Sequence, residues 1–296
     1  MAGSADFLAL SFELRGLDAA RAEAACLALG AHAITFSDAH DDAVLEPAPG
    51  EVRLWPATRV QALYPADADA AALGAGLARE LGLDADRIAT QRLAGRAWER
   101  EWLRDFHAQR FGRRLWVCPT HERVEEPGAV VVQLDPGLAF GTGTHPSTAL
   151  CLEWLDAHLA PGANVIDYGC GSGVLGIAAA RLGAASVDAF DIDPQALLAT
   201  AENAAANGVD GTLRVHGDAA RLPAHADVLV ANILARTLCE LAAEFAARLK
   251  AGGTVLLAGI LAEQAEAVAC VYASWFDMAA CGGREGWVAL AGRRKI

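Results

Sequence analysis

Apolar alternation and helical spacing follow one another along the first ninety residues in the order β-α-β-β-α-β. Phe7–Leu14 alternates as a strand does, with Leu8, Leu10, Phe12 and Leu14 on one face. Asp18 is placed to cap a helix through Leu29, which Gly30 ends. His32–Phe36 reads as a second strand, followed by an acidic, turn-rich loop to Gly50. Val52–Leu54 and Val60–Leu63 are strand material interrupted by Pro56, Asp67–Leu81 is helical, and Arg87–Leu93 is a last short strand.

This order predicts a small α+β, ferredoxin-like domain over residues 1–93. It holds no catalytic motif, so a binding role is its natural reading. Over residues 94–114 the pattern predicts a helical linker. In Arg96–His107, Trp98, Trp102 and Phe106 share one face while Arg96, Arg100 and Arg104 share another.

From Leu115 onward strands and helices alternate. Strands are expected at Val130–Leu134, Asn164–Asp167, Ser186–Phe190, Thr212–His216, Asp227–Ala231, Thr254–Ala258 and Trp287–Ala291. Helices are expected at Ser147–His158, Val174–Leu182, Pro194–Asn207, Ala235–Leu249 and Ala262–Trp275. Continuous apolar strands joined by helices predict an α/β domain over residues 115–296, its parallel sheet covered on both faces.

Composition narrows this picture. No apolar run approaches the ~18 residues of a membrane-spanning helix, and the N-terminus lacks the basic start of a secretory leader. Seven scattered cysteines form no CxxC pair, which points to free thiols in a reducing cytoplasm and away from a metal site. Cys118 and His121 have metal-like spacing but no second pair completes four ligands. The net charge of −13 disfavours direct nucleic-acid binding and suits a basic protein partner. Among the 24 basic residues only Lys250 and Lys295 are lysines.

Four segments carry chemistry. In Val165–Gly173 an apolar strand runs into the turn Gly169-Cys170-Gly171-Ser172-Gly173 and then a helix, the local form of a ligand site at a strand's carboxyl end. Asp167, just before the turn, is a candidate to hold an ammonium group or to organise the loop. Asp191 ends the next strand, where a carboxylate can accept both hydroxyls of a ribose, while Asp193 before Pro194 suits a helix cap. Asn232 closes the strand that begins at Asp227, and its amide oxygen can accept from an amine. Its bland alternative is a cap for the helix near Ala235. Leu134–Thr148 is a glycine- and threonine-rich loop suited to closing over a small ligand. His145 within it suits a structural hydrogen bond better than a general base.

A dehydrogenase is a serious rival, because Gly171–Gly176 fits G-x-G-x-x-G and Asp191 follows Gly171 at the usual spacing. Three features oppose it. The glycine run starts earlier, Asp167 precedes it, and no phosphate-binding cation is near. S-adenosylmethionine, which carries no phosphate, suits the pocket better.

Together the four segments resemble the PrmA family, methyltransferases of the eleventh large-subunit ribosomal protein. The resemblance rests on LDPGLAFGTGTHPSTALCLEWL, VIDYGCGSGVLGIAA, FDIDPQA and VANIL, with support from WEREWLRDFHAQRFGRRLWVCP. It implies a class I, Rossmann-like methyltransferase with a seven-stranded sheet behind an N-terminal substrate-recognition domain. It also implies S-adenosyl-L-methionine as cofactor, and the α-amine and lysine ε-amines of that ribosomal protein as acceptors. By motif, the family's cofactor contacts fall on Thr148, Gly169, Asp191 and Asn232, beside which the local reading sets Asp167 and Gly171. Asn232 is the candidate for aligning the amine. Ser147 stands where the family often has Thr, and His121 where an aromatic residue is expected. Two further rivals are weaker. A nucleic-acid methyltransferase would be expected to carry prolines after Asn232, and a non-catalytic assembly factor need not keep the site motifs intact.

Overall fold

The computed structural model describes residues 7–39, 55, 57–93, 107–135 and 145–296. The chain divides into two compact units, Met1–Trp102 and Leu103–Ile296.

In the first unit β1 (Phe7–Glu13), β2 (Ala33–Asp38), β3 (Thr58–Pro65) and β4 (Ala89–Leu93) form an antiparallel sheet in the order β2-β3-β1-β4. Helices α1 (Ala19–Ala28) and α2 (Ala70–Leu81) lie between the strands in sequence, giving the expected βαββαβ order. Asp18 caps α1 as its position suggests, accepting from the Arg21 N–H at 2.8 Å. The second helix begins later than Asp67, because Asp69 accepts from the Ala71 and Ala72 N–H groups. Leu8, Leu10, Phe12, Val60, Tyr64 and Leu77 form a core of this unit's own. The strand material expected at Val52–Leu54 lies outside the described residues.

The second unit holds the main sheet. Strands β8 (Asn164–Tyr168), β9 (Ser186–Phe190), β10 (Leu213–His216), β11 (Ala226–Asn232), β12 (Leu249–Leu261), β13 (Phe276–Arg284) and β14 (Trp287–Arg294) are ordered β10-β9-β8-β11-β12-β14-β13. The first five are parallel, and β14 runs antiparallel to both neighbours. The chain leaves β8 in one direction and returns to β11 on the other side. That reversal is the topological switch point where open α/β sheets bind ligands. One apolar cluster lies around Val165, Ile177 and Val230 and a second around Ile166, Leu229 and Phe245. The alternate side chains of β8 and β11 therefore feed both faces, as their unbroken apolar runs require.

The sheet has seven strands, but one differs from the reading above. Val130–Gln133 is β7 of a separate three-stranded sheet with β5 (Gln109–Phe111) and β6 (Leu115–Cys118). Its place in the main sheet is taken by β13, where the expected Ala262–Trp275 helix gives way after Tyr272. Phe276–Arg284 is a mostly exposed edge strand with two glycines, so its apolar alternation is weak. Residues 94–106 of the expected linker lie outside the described residues. The rest enters the second unit through β5, which pairs with β6 rather than continuing a helix. No helix among the described residues is long and apolar enough to cross a membrane.

Candidate active site

The carboxyl ends of β8, β9 and β11 open onto a cavity of about 510 Å³. Thr148, Gly169, Gly171, Asp191 and Asn232 line it, so five of the six sequence-derived site residues converge there. Apart from Thr237 its walls are otherwise largely apolar, with Tyr168, Phe190, Ile192, Leu234 and Leu241 prominent, and no Lys or Arg is among the described lining residues. Every described lining residue belongs to the second unit.

Gly169 follows β8 with φ +80°, and a Cβ on it would sit 2.4 Å from Ile233 Cγ2. The turn needs both the left-handed backbone and the missing side chain. Asp191 holds the turn from β9. One carboxylate oxygen accepts the Gly171 N–H at 2.9 Å and the other accepts the Asp193 N–H at 3.0 Å. Each oxygen has a second lone-pair site, so the carboxylate can still accept from a ligand.

Asp167 is placed differently. It is buried behind the turn, does not line the cavity, and accepts the Gly176 N–H at 2.8 Å in the first turns of α4 (Val174–Arg181). Its other oxygen has no hydrogen-bond partner. Burial pushes its carboxyl up to about 7, against the Gly176 hydrogen bond and with some help from the Asp191 charge. Of the two roles read for it, the geometry matches organising the loop and offers no direct contact with a ligand ammonium.

Asn232 lies at the end of β11, and its amide nitrogen donates to Thr148 Oγ1 at 3.0 Å. Thr148 is buried in the first turn of α3 (Pro146–His158). The bond leaves the Asn232 amide oxygen as an acceptor for an incoming donor. The capping alternative for Asn232 does not hold, since α6 (Ala235–Arg248) is capped at Leu234 without a side-chain bond. Asp193 does cap α5 (Pro194–Ala206), accepting the Gln195 N–H at 2.9 Å.

His145 is the N-cap of α3. Its Nδ1 lies 2.7 Å from Ser147 Oγ and its ring packs edge-on to Trp287. Burial holds its pKa below the ordinary value. It does not line the cavity, and its geometry is that of a structural residue. Residues 136–144 of the glycine- and threonine-rich loop lie outside the described residues.

Sequence reasoning missed the support beneath the glycine turn. Thr200 Oγ1 donates to the Gly171 carbonyl at 3.0 Å and Asn203 Nδ2 to the Ser172 carbonyl at 2.8 Å, both from α5. Two polar side chains three positions apart on an alanine-rich helix were the available signal. It also missed the cavity rim, where Ile192 and Leu234 are 86% and 57% exposed.

The family model described as ribosomal protein L11 methyltransferase (PrmA) matches residues 6–295. This chain belongs to that family. Among its relatives, the ribosomal protein L11 methyltransferase of Methylococcus capsulatus is 52% identical over 268 residues, covering 90% of this chain and 92% of that protein. The namesake from Pseudomonas aeruginosa is 48% identical over 274 residues, covering 92% and 93%. Among solved structures, a ribosomal protein L11 methylase from Lactobacillus delbrueckii subsp. bulgaricus is 32% identical. It superposes with a TM-score of 0.60, covering 64% of this chain and 100% of its own. The ribosomal protein L11 methyltransferase family thus accounts for nearly the whole chain, the motif-poor first unit included.

Proposed function

We propose that this enzyme transfers methyl groups from S-adenosylmethionine to the α-amine and lysine ε-amines of ribosomal protein L11. The observation that carries the proposal is the meeting of the Gly169–Gly171 turn, Asp191 and the Asn232–Thr148 pair around one cavity with no Lys or Arg among its described lining residues. The donor set fits that cofactor better than a dinucleotide. A carboxylate is present for ribose hydroxyls and apolar walls for a base, while no described lining side chain can neutralise a phosphate.

When bound, S-adenosylmethionine supplies a methyl group already activated by its sulfonium, so the protein's task is alignment. Asp191 holds the ribose and the glycine turn together. Thr148 fixes the Asn232 amide, whose oxygen orients the acceptor amine.

The amine must also be neutral. A lysine of pKa ~10.4 is only about 0.1% neutral at pH ~7.5, a cost of ~4 kcal/mol. The apolar walls reduce that cost by disfavouring the ammonium form. Asp191 is the sole carboxylate among the described lining residues, and both its oxygens already accept backbone N–H groups. No side-chain base is needed in this scheme, and solvent receives the proton.

Residues 1–93, within the first unit, are the proposed recognition module. That unit has its own core and contributes no described lining residue to the cavity. All seven cysteines are free, which supports a reducing, cytoplasmic setting.

Incubating the full-length protein with labelled S-adenosylmethionine and separated ribosomal proteins and RNAs tests the assignment. Label is expected on L11, blocked by prior acetylation of its amines. Label on RNA alone, or binding of a nicotinamide dinucleotide with none of S-adenosylmethionine, would overturn it.

A further inference from the structure

The exit of β11 is gripped on both sides by main chain. In the sheet β11 lies between β8 and β12. On the β8 side, the bare Cα of Gly169 lets the Ile233 side chain close in. On the other side, Asn232 pairs with Ala258 as the last rung of the β11–β12 ladder. The next residue, Gly259, has φ +78°. A Cβ on it would lie 2.4 Å from the Ile233 carbonyl oxygen, 3.0 Å from its carbonyl carbon and 3.2 Å from Asn232 Oδ1. At the same point the pairing of β12 with β14 shifts register between Leu257 and Ile260. Such an irregularity turns backbone out of the ladder, and glycine is the residue that allows close approach there.

We propose that Gly259 is a positioning residue for methyl transfer, setting the Asn232–Ile233 main chain and through it the direction of the Asn232 amide oxygen. This rests on the amine methyltransferase reading above. Gly259 belongs to none of the site motifs and does not line the cavity, so its effect passes through Asn232.

Three constraints then fix that side chain. Thr148 takes its amide nitrogen, Ala258 holds its backbone, and Gly259 bounds its oxygen from behind. The crowding at Gly259 differs in kind from that at Gly169. At Gly169 an added methyl meets a side-chain methyl that can rotate, whereas at Gly259 it meets a carbonyl that moves only with the strand exit. Relieving a 2.4 Å approach to an ordinary contact of 3.4 Å displaces Ile233 by about an ångström. Misplacement of that size can cost on the order of a hundredfold in an alignment-controlled step.

The test compares full-length Gly259→Ala with Gly252→Ala. Gly252 sits on the same strand at the opposite end of the sheet, has φ +74°, and its Cβ would come no closer than 3.6 Å to Arg293. The two variants share the backbone strain, and only the first adds the crowding. Three quantities are read: the NMR signals of the Asn232 side-chain amide, the S-adenosylmethionine affinity, and the single-turnover rate on L11 at saturating cofactor. Gly259→Ala should shift the Asn232 signals and lower the rate at least tenfold while cofactor affinity stays within about threefold. Gly252→Ala should do neither.

Unshifted Asn232 signals, or equal rate losses in the two variants, would overturn the proposal. Should Gly259→Ala not fold, Gly259→Asn adds the same Cβ with a side chain that better tolerates positive φ, and is read the same way. Should the wild type leave L11 unmodified, the substrate assignment fails, while the Asn232 signals still decide the role of Gly259.

Discussion

The two ends of the seven-stranded sheet are built from different materials. At the amino-terminal end, side chains tie the strand starts together. Asp227 accepts from the Asn164 backbone and amide at 2.9 and 3.3 Å, pairs with Lys250, and Asn164 in turn accepts from Ser186 Oγ at 2.8 Å. At the carboxyl-terminal end, glycines let the neighbouring chain close in on bare backbone, the Ile233 side chain at Gly169 and the Ile233 carbonyl at Gly259. An end made of exposed side-chain bonds tolerates losing one, because water replaces it. An end made by close backbone approach cannot accept added atoms. The ligand cavity lies at the second kind of end, so its sensitivity should be to gaining a methyl group more than to losing a charge.

Four measurements test that contrast. The largest effect is expected from Gly169→Ala, which combines φ +80° with a 2.4 Å approach to Ile233 Cγ2. S-adenosylmethionine affinity should fall by at least a hundredfold, about 3 kcal/mol, in a chain that still folds. Calorimetry giving near-wild-type affinity would remove the contrast.

The second concerns Asp167, buried beside the turn. Unfolded, its carboxyl titrates near 3.8, and folded at about 7. Between these values the folded chain keeps a proton that the unfolded chain has released. Its contribution to stability is therefore full below about pH 4 and is lost as pH rises to about 7, at up to ~1.4 kcal/mol per pH unit. Asp167→Asn keeps an acceptor for the Gly176 N–H and should flatten this slope in urea denaturation between pH 5 and 7. An unchanged slope would mean that the carboxyl is ionised when folded.

The third is Asp191→Ala, which removes the brace on Gly171 and the proposed ribose acceptor. A loss of ~1–3 kcal/mol in cofactor binding is expected, and adenosine without its 2′- and 3′-hydroxyls should discriminate less between wild type and variant, the remainder being the lost brace. The smallest effect is expected at the opposite end. The Lys250 side chain is 52% exposed in its pair with Asp227, so Lys250→Ala should cost less than ~1 kcal/mol of stability. A large loss of cofactor affinity in that variant would show that the two ends are coupled.

The sequence disclosed the carboxyl end better than the fold around it. Gly169, Asp191 and Asn232 each stand where an apolar strand stops, so periodicity and residue type coincide at one position. What escaped needed a third dimension. Thr200 and Asn203 look like ordinary polar residues of a surface helix until the turn they hold is in place. Gly259 sits inside an apolar strand with no neighbouring polar signal, and only the packing of β12 against β11 gives it a role. The edge strand β13 was obscured by exposure, and the β5–β6–β7 sheet by the shortness of its strands.

An enzyme that methylates lysines lives permanently beside its own activated donor and is its own most available protein. Here the chain has two lysines, and neither lines the cavity. Lys250 is paired with Asp227 at the far end of the sheet, while the Lys295 ammonium donates to the Ala273 carbonyl at 2.5 Å. Each is engaged by protein oxygen away from the cavity, out of reach of a methyl donor seated there. The fold thereby offers little to its own chemistry, and the donor is spared for the protein that must come to it.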